Sequence, residues 1–201
     1  MDLPPRTFRL PERVGVAAEK TLARGRFQVL RFASKRDVRR VAEQIAGLYN
    51  TTLGDHLEDY PLSEAELKQV EKDLLLVADP TLVKILTYDG KIVGYLLAFP
   101  DLSAAMQKNR GKLGPVRILR LLREIHRAEG LLINGMGILP DYQRLGGNAL
   151  LYSELTKTGG GERFARAELT QISERTELML RDVQTLGARI YKVHRMFEKS
   201  L

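Results

Sequence analysis

The 201-residue chain contains no cysteine and no tryptophan. Without thiols there is no disulfide scaffold, no thiolate zinc site and no cysteine nucleophile. Its three histidines, at 56, 126 and 194, are too scattered to build a histidine metal centre, so no metal is expected. No apolar run reaches the roughly 18 residues of a membrane-spanning helix, and no integral membrane segment is expected. The first residues, Met1 to Arg6, hold an acid and two prolines but no apolar core. They do not read as a secretory signal, which leaves a cytoplasmic location as the expectation.

What is present describes one soluble globular domain. The chain is too short for two ordinary domains, and 44% hydrophobic with 28% charged residues suits a packed core with a polar surface. The net charge of +7 is unevenly spread. Residues 1–40 hold 11 basic and 4 acidic groups, and residues 41–104 reverse this with 4 and 11. Residues 105–129 hold 7 basic and 2 acidic groups. A basic segment beside an acidic one suits one face for phosphate and another for a cation, although solvated patches of this size are common.

Residues 1–25 carry Pro4, Pro5 and Pro11 without sustained periodicity and read as an N-terminal arm, leaving 26–201 as the domain. Phe27 to Phe32 is a short strand candidate. Ser34 with Asp37 opens a helix that Val38, Val41, Ile45 and Leu48 continue, and Ser63 with Glu66 opens another. Asp89-Gly90 joins strands Leu82 to Tyr88 and Lys91 to Phe99 as an antiparallel hairpin. Asp101 caps a helical insertion over 102–128, whose second helix lines up Arg117, Arg120, Arg123 and Arg127. Leu131 to Leu139 reads as a central buried strand ending at Pro140. A helix from Arg144 to Lys157, a strand from Ala165 to Ile172, a helix from Ser173 to Leu186 and a last strand from Ala188 to Lys199 complete the chain.

Two features carry chemistry. Gly135 and Gly137 interrupt the central strand, which suits a bulge or the close approach of an extended ligand, with packing against a bulky neighbour as the plain alternative. Immediately after it, Gln143-Arg144-Leu145-Gly146-Gly147-Asn148-Ala149 opens a helix. Free N–H groups at a helix start beside the positive dipole end suit a pyrophosphate.

From Ile138-Leu139-Pro140 to Ala149 the chain resembles the GNAT superfamily of acyl-CoA-dependent N-acyltransferases, and the element order from Phe27 onward is similar too. The resemblance implies an α/β fold with a mixed, mostly antiparallel sheet of about six strands flanked by helices. It implies an N-acyltransferase taking acetyl-CoA or a longer acyl-CoA and a small-molecule or protein amine. The backbone of Met136, Gly137 and Ile138 would hold the pantetheine arm. The N–H groups of Arg144, Leu145, Gly146, Gly147, Asn148 and Ala149 would hold the pyrophosphate. Thr176 stands where members often place a cofactor-binding Asn, Val183 where many place an acidic Tyr, and Gln171 where one branch carries a Glu base. The short stretch after Gly187 implies a sheet completed by the N-terminal arm or by a second subunit, so a homodimer is one expectation.

Alternation puts Asn134 on the face of Met136 and Ile138, placing it toward the cofactor arm, where it could hold the amine or a water. Glu129 and His126 precede that strand as relay candidates, and Tyr191 is a candidate acid, with a solvated helix end and simple packing as the alternatives. Asp55, His56 and Asp59 sit in an acidic loop where the family forms its acceptor pocket; a solvated turn is the alternative. The Arg-rich helix is expected to roof that pocket. Loss of the usual acid and base keeps open a non-catalytic acyl-CoA sensor, and the basic helix keeps open a membrane-surface docking module. No nucleic-acid partner is expected, because no aromatic residues interleave the arginines.

Overall fold

In the computed structural model the described residues are 2–3, 10–53, 63, 65–66, 68–69, 75, 78–110, 112, 114–157, 163–170, 172–174, 176–195 and 197. Asp55, His56 and Asp59 lie outside them. The elements in chain order are β1 (Asp2–Leu3), α1 (Glu12–Ala23), β2 (Phe27–Leu30), α2 (Lys35–Leu53), β3 (Val83–Tyr88) and β4 (Lys91–Pro100). They continue with α3 (Ser103–Lys108), α4 (Pro115–Ile125), β5 (Gly130–Ile138), α5 (Gly147–Leu155), β6 (Arg166–Leu169) and α6 (Glu177–Thr185).

The strands form a six-stranded sheet in the order β1-β6-β5-β4-β3-β2. Of its pairings only β5 with β6 is parallel. This is the mixed, mostly antiparallel sheet that the resemblance implies. Local chemistry sets several boundaries. Asp89 and Gly90 both have positive φ, 49° and 81°, and turn β3 into β4. Ser34 and Asp37 form a capping box at α2: the Ser34 N–H donates to Asp37 Oδ2 at 3.1 Å and the Asp37 N–H to Ser34 Oγ at 3.3 Å. Ser63 and Glu66 repeat it at 2.9 and 3.3 Å.

Both faces of the central strands are covered. Along β4, Val93, Leu96 and Ala98 join a core with Val14 and Ala18 of α1, Leu150 and Leu151 of α5, and Val183 of α6. The alternate residues Tyr95, Leu97 and Phe99 pack with Val38, Ile45 and Leu48 of α2. From Tyr95 to Phe99 this is the period-two alternation, apolar on both sides, of a two-sided buried strand, and Val93 reaches the first core because the β3–β4 register skips it.

Three sequence expectations are corrected. The arm contains a helix, α1, which packs on α5 and buries Val14, Ala18 and Thr21. Its stripe of Val, Ala and Thr has little hydrophobic contrast, which hid the periodicity. Upstream, Asp2 and Leu3 pair with Glu168 and Ala167, so the arm does complete the sheet edge. The final strand does not form: the described residues after Ala188 hold one isolated bridge at Arg189, and Ile190 and Val193 are exposed. The place beside β6 is taken by β1. The helix read from Ser173 begins only at Glu177.

If α1 is part of the core, Ala18→Asp should lower the unfolding free energy by about 2–4 kcal/mol, since it buries an unpaired charge. Urea denaturation followed by circular dichroism reads this; an arm lying off the body would tolerate the change.

Candidate functional site

The parallel pairing of β5 with β6 is short. It runs from Gly130 opposite Arg166 to Ile133 opposite Leu169 and stops, whereas β5 stays paired with β4 as far as Ile138 opposite Gly94. The Thr170 N–H still reaches the Ile133 carbonyl at 3.1 Å. Beyond that point the β6-facing edge of β5, from Asn134 to Ile138, has no strand partner among the described residues. A fork opens between the two strands.

The branch point is Asn134. The β4–β5 register skips it, since Leu97 faces Gly135 and Ala98 faces Ile133, so Asn134 is the extra residue of a bulge. The bulge resets alternation: Ile133 below it and Met136 and Ile138 above it all pack toward the α5 side. Asn134 therefore leaves the face predicted by strict period two. Its Oδ1 instead accepts from Thr170 Oγ1 at 2.9 Å across the floor of the fork.

The two glycines have a different cause from the one expected. The Tyr95 ring lies across both. A methyl at Gly135 would sit 3.6 Å from the ring, which is ordinary contact, whereas one at Gly137 would come within 2.9 Å of it and overlap the Thr52 side chain. Thr52, near the end of α2, is held 3.2 Å from the Tyr95 hydroxyl. Gly137 is thus a packing requirement of α2 on the sheet, and strand divergence rather than glycine opens the fork. Tyr95 was not singled out by sequence; the paired glycines opposite an aromatic strand residue were its only signal.

At the top of β5 the chain turns through Pro140–Tyr142, and Gln143 Nε2 donates to the Ile138 carbonyl at 2.9 Å. Arg144 and Gly146 adopt left-handed φ of 60° and 93°. The first helical bond of α5 is from the Leu150 N–H to the Gly146 carbonyl at 3.2 Å. The N–H groups of residues 144–149 therefore precede the ladder, at the positive end of α5. Thr21 of α1 abuts Gly146, and Gly147 lets α5 approach Leu86 so closely that a methyl would stand 2.6 Å from it. Both glycines in this loop, which follows the C-terminus of β5, are sterically required.

A cleft of about 370 Å³ adjoins this loop, with Arg13, Arg144, Asn148 and Asp182 on its walls. Asn148 Nδ2 donates to Asp182 Oδ2 at 2.7 Å, so this side chain is engaged with α6 and only the backbone of Asn148 remains for a ligand. Burial holds the Asp182 carboxyl above its ordinary range, an effect the Asn148 hydrogen bond partly offsets. Neither Asp182 nor its pairing was anticipated from sequence, where an Asp within an amphipathic helix reads as solvated.

The other candidates are dispersed. Thr176 stands at the start of α6 without a side-chain capping bond. Val183 is fully buried in the core and has no proton to give. Glu129 is exposed and precedes β5, five residues or about 16 Å of strand from Asn134, at the opposite end from the loop. Its carbonyl, not its carboxylate, is used, accepting from the Ala165 N–H at 2.7 Å. His126 ends α4, exposed. Tyr191 lies on the exposed segment after α6 with Lys192 over its ring. The helical insertion also departs from expectation: it springs from Pro100 and Gly130, the far end of the β4–β5 pair, rather than from the loop end.

A half-paired, bulged strand running into a glycine turn and a helix, within this strand order, is the GNAT fold. Solved structures agree. The chain superposes on an aminoglycoside acetyltransferase from an uncultured soil metagenomic sample, bound to sisomicin, with a TM-score of 0.54 at 14% identity, covering 88% of this chain and 98% of that one. The aminoglycoside N-acetyltransferase AAC(6')-Iy in complex with a CoA bisubstrate analogue gives 0.54 at 14% identity over 87% and 99% of the two chains. A possible acetyltransferase from Clostridium difficile gives 0.52 at 14% over 88% and 98%. No protein-family model matches. Among curated proteins, the bacterial ceramide synthase of Caulobacter vibrioides is 25% identical over 165 residues, 79% of this chain and 43% of that protein. The chain thus spans less than half the length of this relative.

Two outcomes test this geometry. Gly137→Ala should cost about 1–3 kcal/mol through overpacking against Thr52 and Tyr95, whereas Gly135→Ala should fall within about 0.5 kcal/mol of the parent; denaturant midpoints distinguish them. Because the folded state raises the Asp182 pKa from 3.8, it binds the proton more tightly than the unfolded chain does. The parent should lose stability relative to Asp182→Asn as pH rises from about 3.8, with the difference levelling off above the folded pKa. Urea titrations from acidic to neutral pH read this, and a constant difference would contradict it.

Proposed function

We propose that this domain binds an acyl-CoA along the fork and transfers its acyl group to an amine. The observation that carries the reading is the continuity of two backbone stretches: the edge of β5 at Met136, Gly137 and Ile138 that β6 leaves unpaired, where Gln143 already takes the Ile138 carbonyl, and the N–H groups of residues 144–149. Backbone donors and acceptors left by a broken ladder call for a partner. A pantetheine arm with its two amides fits the first stretch, and a diphosphate fits the second. The CoA bound by structural neighbours supports the same choice.

When bound, acyl-CoA supplies a thioester carbonyl. This chain's residues orient it and receive the amine. Asn134, fixed through its Oδ1 by Thr170, keeps its Nδ2 as a donor at the fork floor, suited to a developing oxyanion, a water or the incoming amine. Thr176 adds a hydroxyl where β6 gives way to α6. Asp55, His56 and Asp59 would give the acceptor loop a negative character that favours a cationic amine. The curated relative, a ceramide synthase, favours an amino alcohol carrying a hydrocarbon chain as acceptor and a long acyl chain as donor.

A second reading has its own observation. Val183 is core with no proton to give and Glu129 is remote, so an acyl-CoA-binding protein without turnover fits the same fork. Titration calorimetry with acetyl-CoA and long-chain acyl-CoA, followed by an amine-dependent assay of thiol release across polyamines, aminoglycosides and sphingoid bases, separates the two. We expect binding that Gly146→Val weakens at least about tenfold, because that position needs positive φ and abuts Thr21. Binding without thiol release on every acceptor would support the sensor, and no binding would end both readings.

A further inference from the structure

We infer that α4 is a membrane-surface docking helix that seats this domain on a bilayer containing anionic phospholipid. The inference is independent of what the fork binds. At about 100° per residue, Val116, Leu119, Arg120 and Arg123 fall within roughly a quarter to a third of the helix circumference, and that sector faces away from the body. Val116 and Leu119 are 74% and 70% exposed, with Leu122 at the flank. The opposite side is anchored: Leu121 and Ile125 are buried, and Arg163 Nη2 donates to the Ile125 carbonyl at 3.0 Å. Buried Asn109 adds a second tie, donating through Nδ2 to the Arg117 carbonyl and accepting from Arg120 Nη1, both at 3.4 Å. The helix is therefore held with its apolar residues outward, where water gives them no partner.

Charge identifies the occupant. Among the described residues, Arg117, Arg120, Arg123 and Arg127 make no ion pair with a carboxylate, whereas Arg31, Arg163 and Arg166 elsewhere each do. The segment from 105 to 129 holds 7 basic and 2 acidic residues. Aliphatic side chains flanked by guanidiniums on one helix face match the acyl–headgroup boundary, where the aliphatics enter the hydrocarbon and the guanidiniums meet phosphates. A second copy of the chain would set these arginines against themselves. Nucleic acid would leave Val116 and Leu119 in water and find no aromatic residue to stack on.

The test is co-sedimentation of the full chain with sucrose-loaded vesicles of neutral phosphatidylcholine alone or with about 30 mol% anionic phosphatidylglycerol. The anionic vesicles should carry the protein down at about 0.1 M salt, the neutral ones should not, and the bound fraction should fall steeply by about 0.5 M salt. The double variants Val116→Asp with Leu119→Asp, and Arg123→Gln with Arg127→Gln, should each reduce partitioning about tenfold or more while keeping the parent's unfolding temperature, because every changed side chain is solvent-facing. The proposal is overturned if the parent stays in the supernatant with both vesicle types, or if both variants sediment like the parent. It is equally overturned if sedimentation velocity shows a parent dimer that Val116→Asp with Leu119→Asp dissolves, since the face would then join two copies.

Discussion

The structure turns on one interrupted ladder. β5 is paired with β4 from Leu131 to Ile138 except at the bulged Asn134, yet with β6 only as far as Ile133. A parallel pair that ends while one strand continues leaves main-chain donors and acceptors facing an opening, and such groups are costly to bury without a partner. The bulge at Asn134 causes the departure by re-aiming the strand at the residue where pairing stops. It also preserves the core, since Ile133 and Met136 return to the same side and no apolar residue is lost to solvent. Thr170 then closes the vertex through its hydroxyl. The hydrogen-bond defect and the packing solution are the same feature.

Everything around the fork fixes it from the two faces. On the α2 side, Tyr95 and Thr52 lock the upper half of β5 by using Gly137 as the point of closest approach. On the other side, Gly147 brings α5 against Leu86, and Thr21 of α1 rests on Gly146. The glycine turn before α5 is thereby held by α1, α6 and the sheet. Asp182 in this neighbourhood is held by Asn148, and burial raises its pKa above the ordinary carboxyl value. The two sides of the sheet divide the labour: α1, α5 and α6 support the turn proposed to hold the pyrophosphate, and α2 leads into the loop that the family resemblance assigns to the acceptor.

Much of this was legible in sequence wherever the cause is local. Asp89-Gly90, the capping box at Ser34 and the apolar run ending at Pro140 each act through neighbours a few residues away, and each element stands where those signals put it. The loop from Gln143 to Ala149 belongs to the same class, because left-handed φ values and free N–H groups are properties of a short peptide. The candidates that depended on approach through space fared differently. Glu129 sits at the opposite end of β5 from the loop, and Tyr191 sits on an exposed tail.

Sequence by itself determined the start of α2, the hairpin, the two-sided central strand and the glycine turn into α5, because hydrogen bonds within a few residues and side-chain periodicity decide them. Tertiary structure alone decided where β5 and β6 separate, which glycine is sterically required, that α1 joins the core, and that β1 rather than the C-terminal segment borders β6. Those outcomes are contests between distant segments for one surface or one row of backbone groups, and no stretch of chain carries the identity of its competitor.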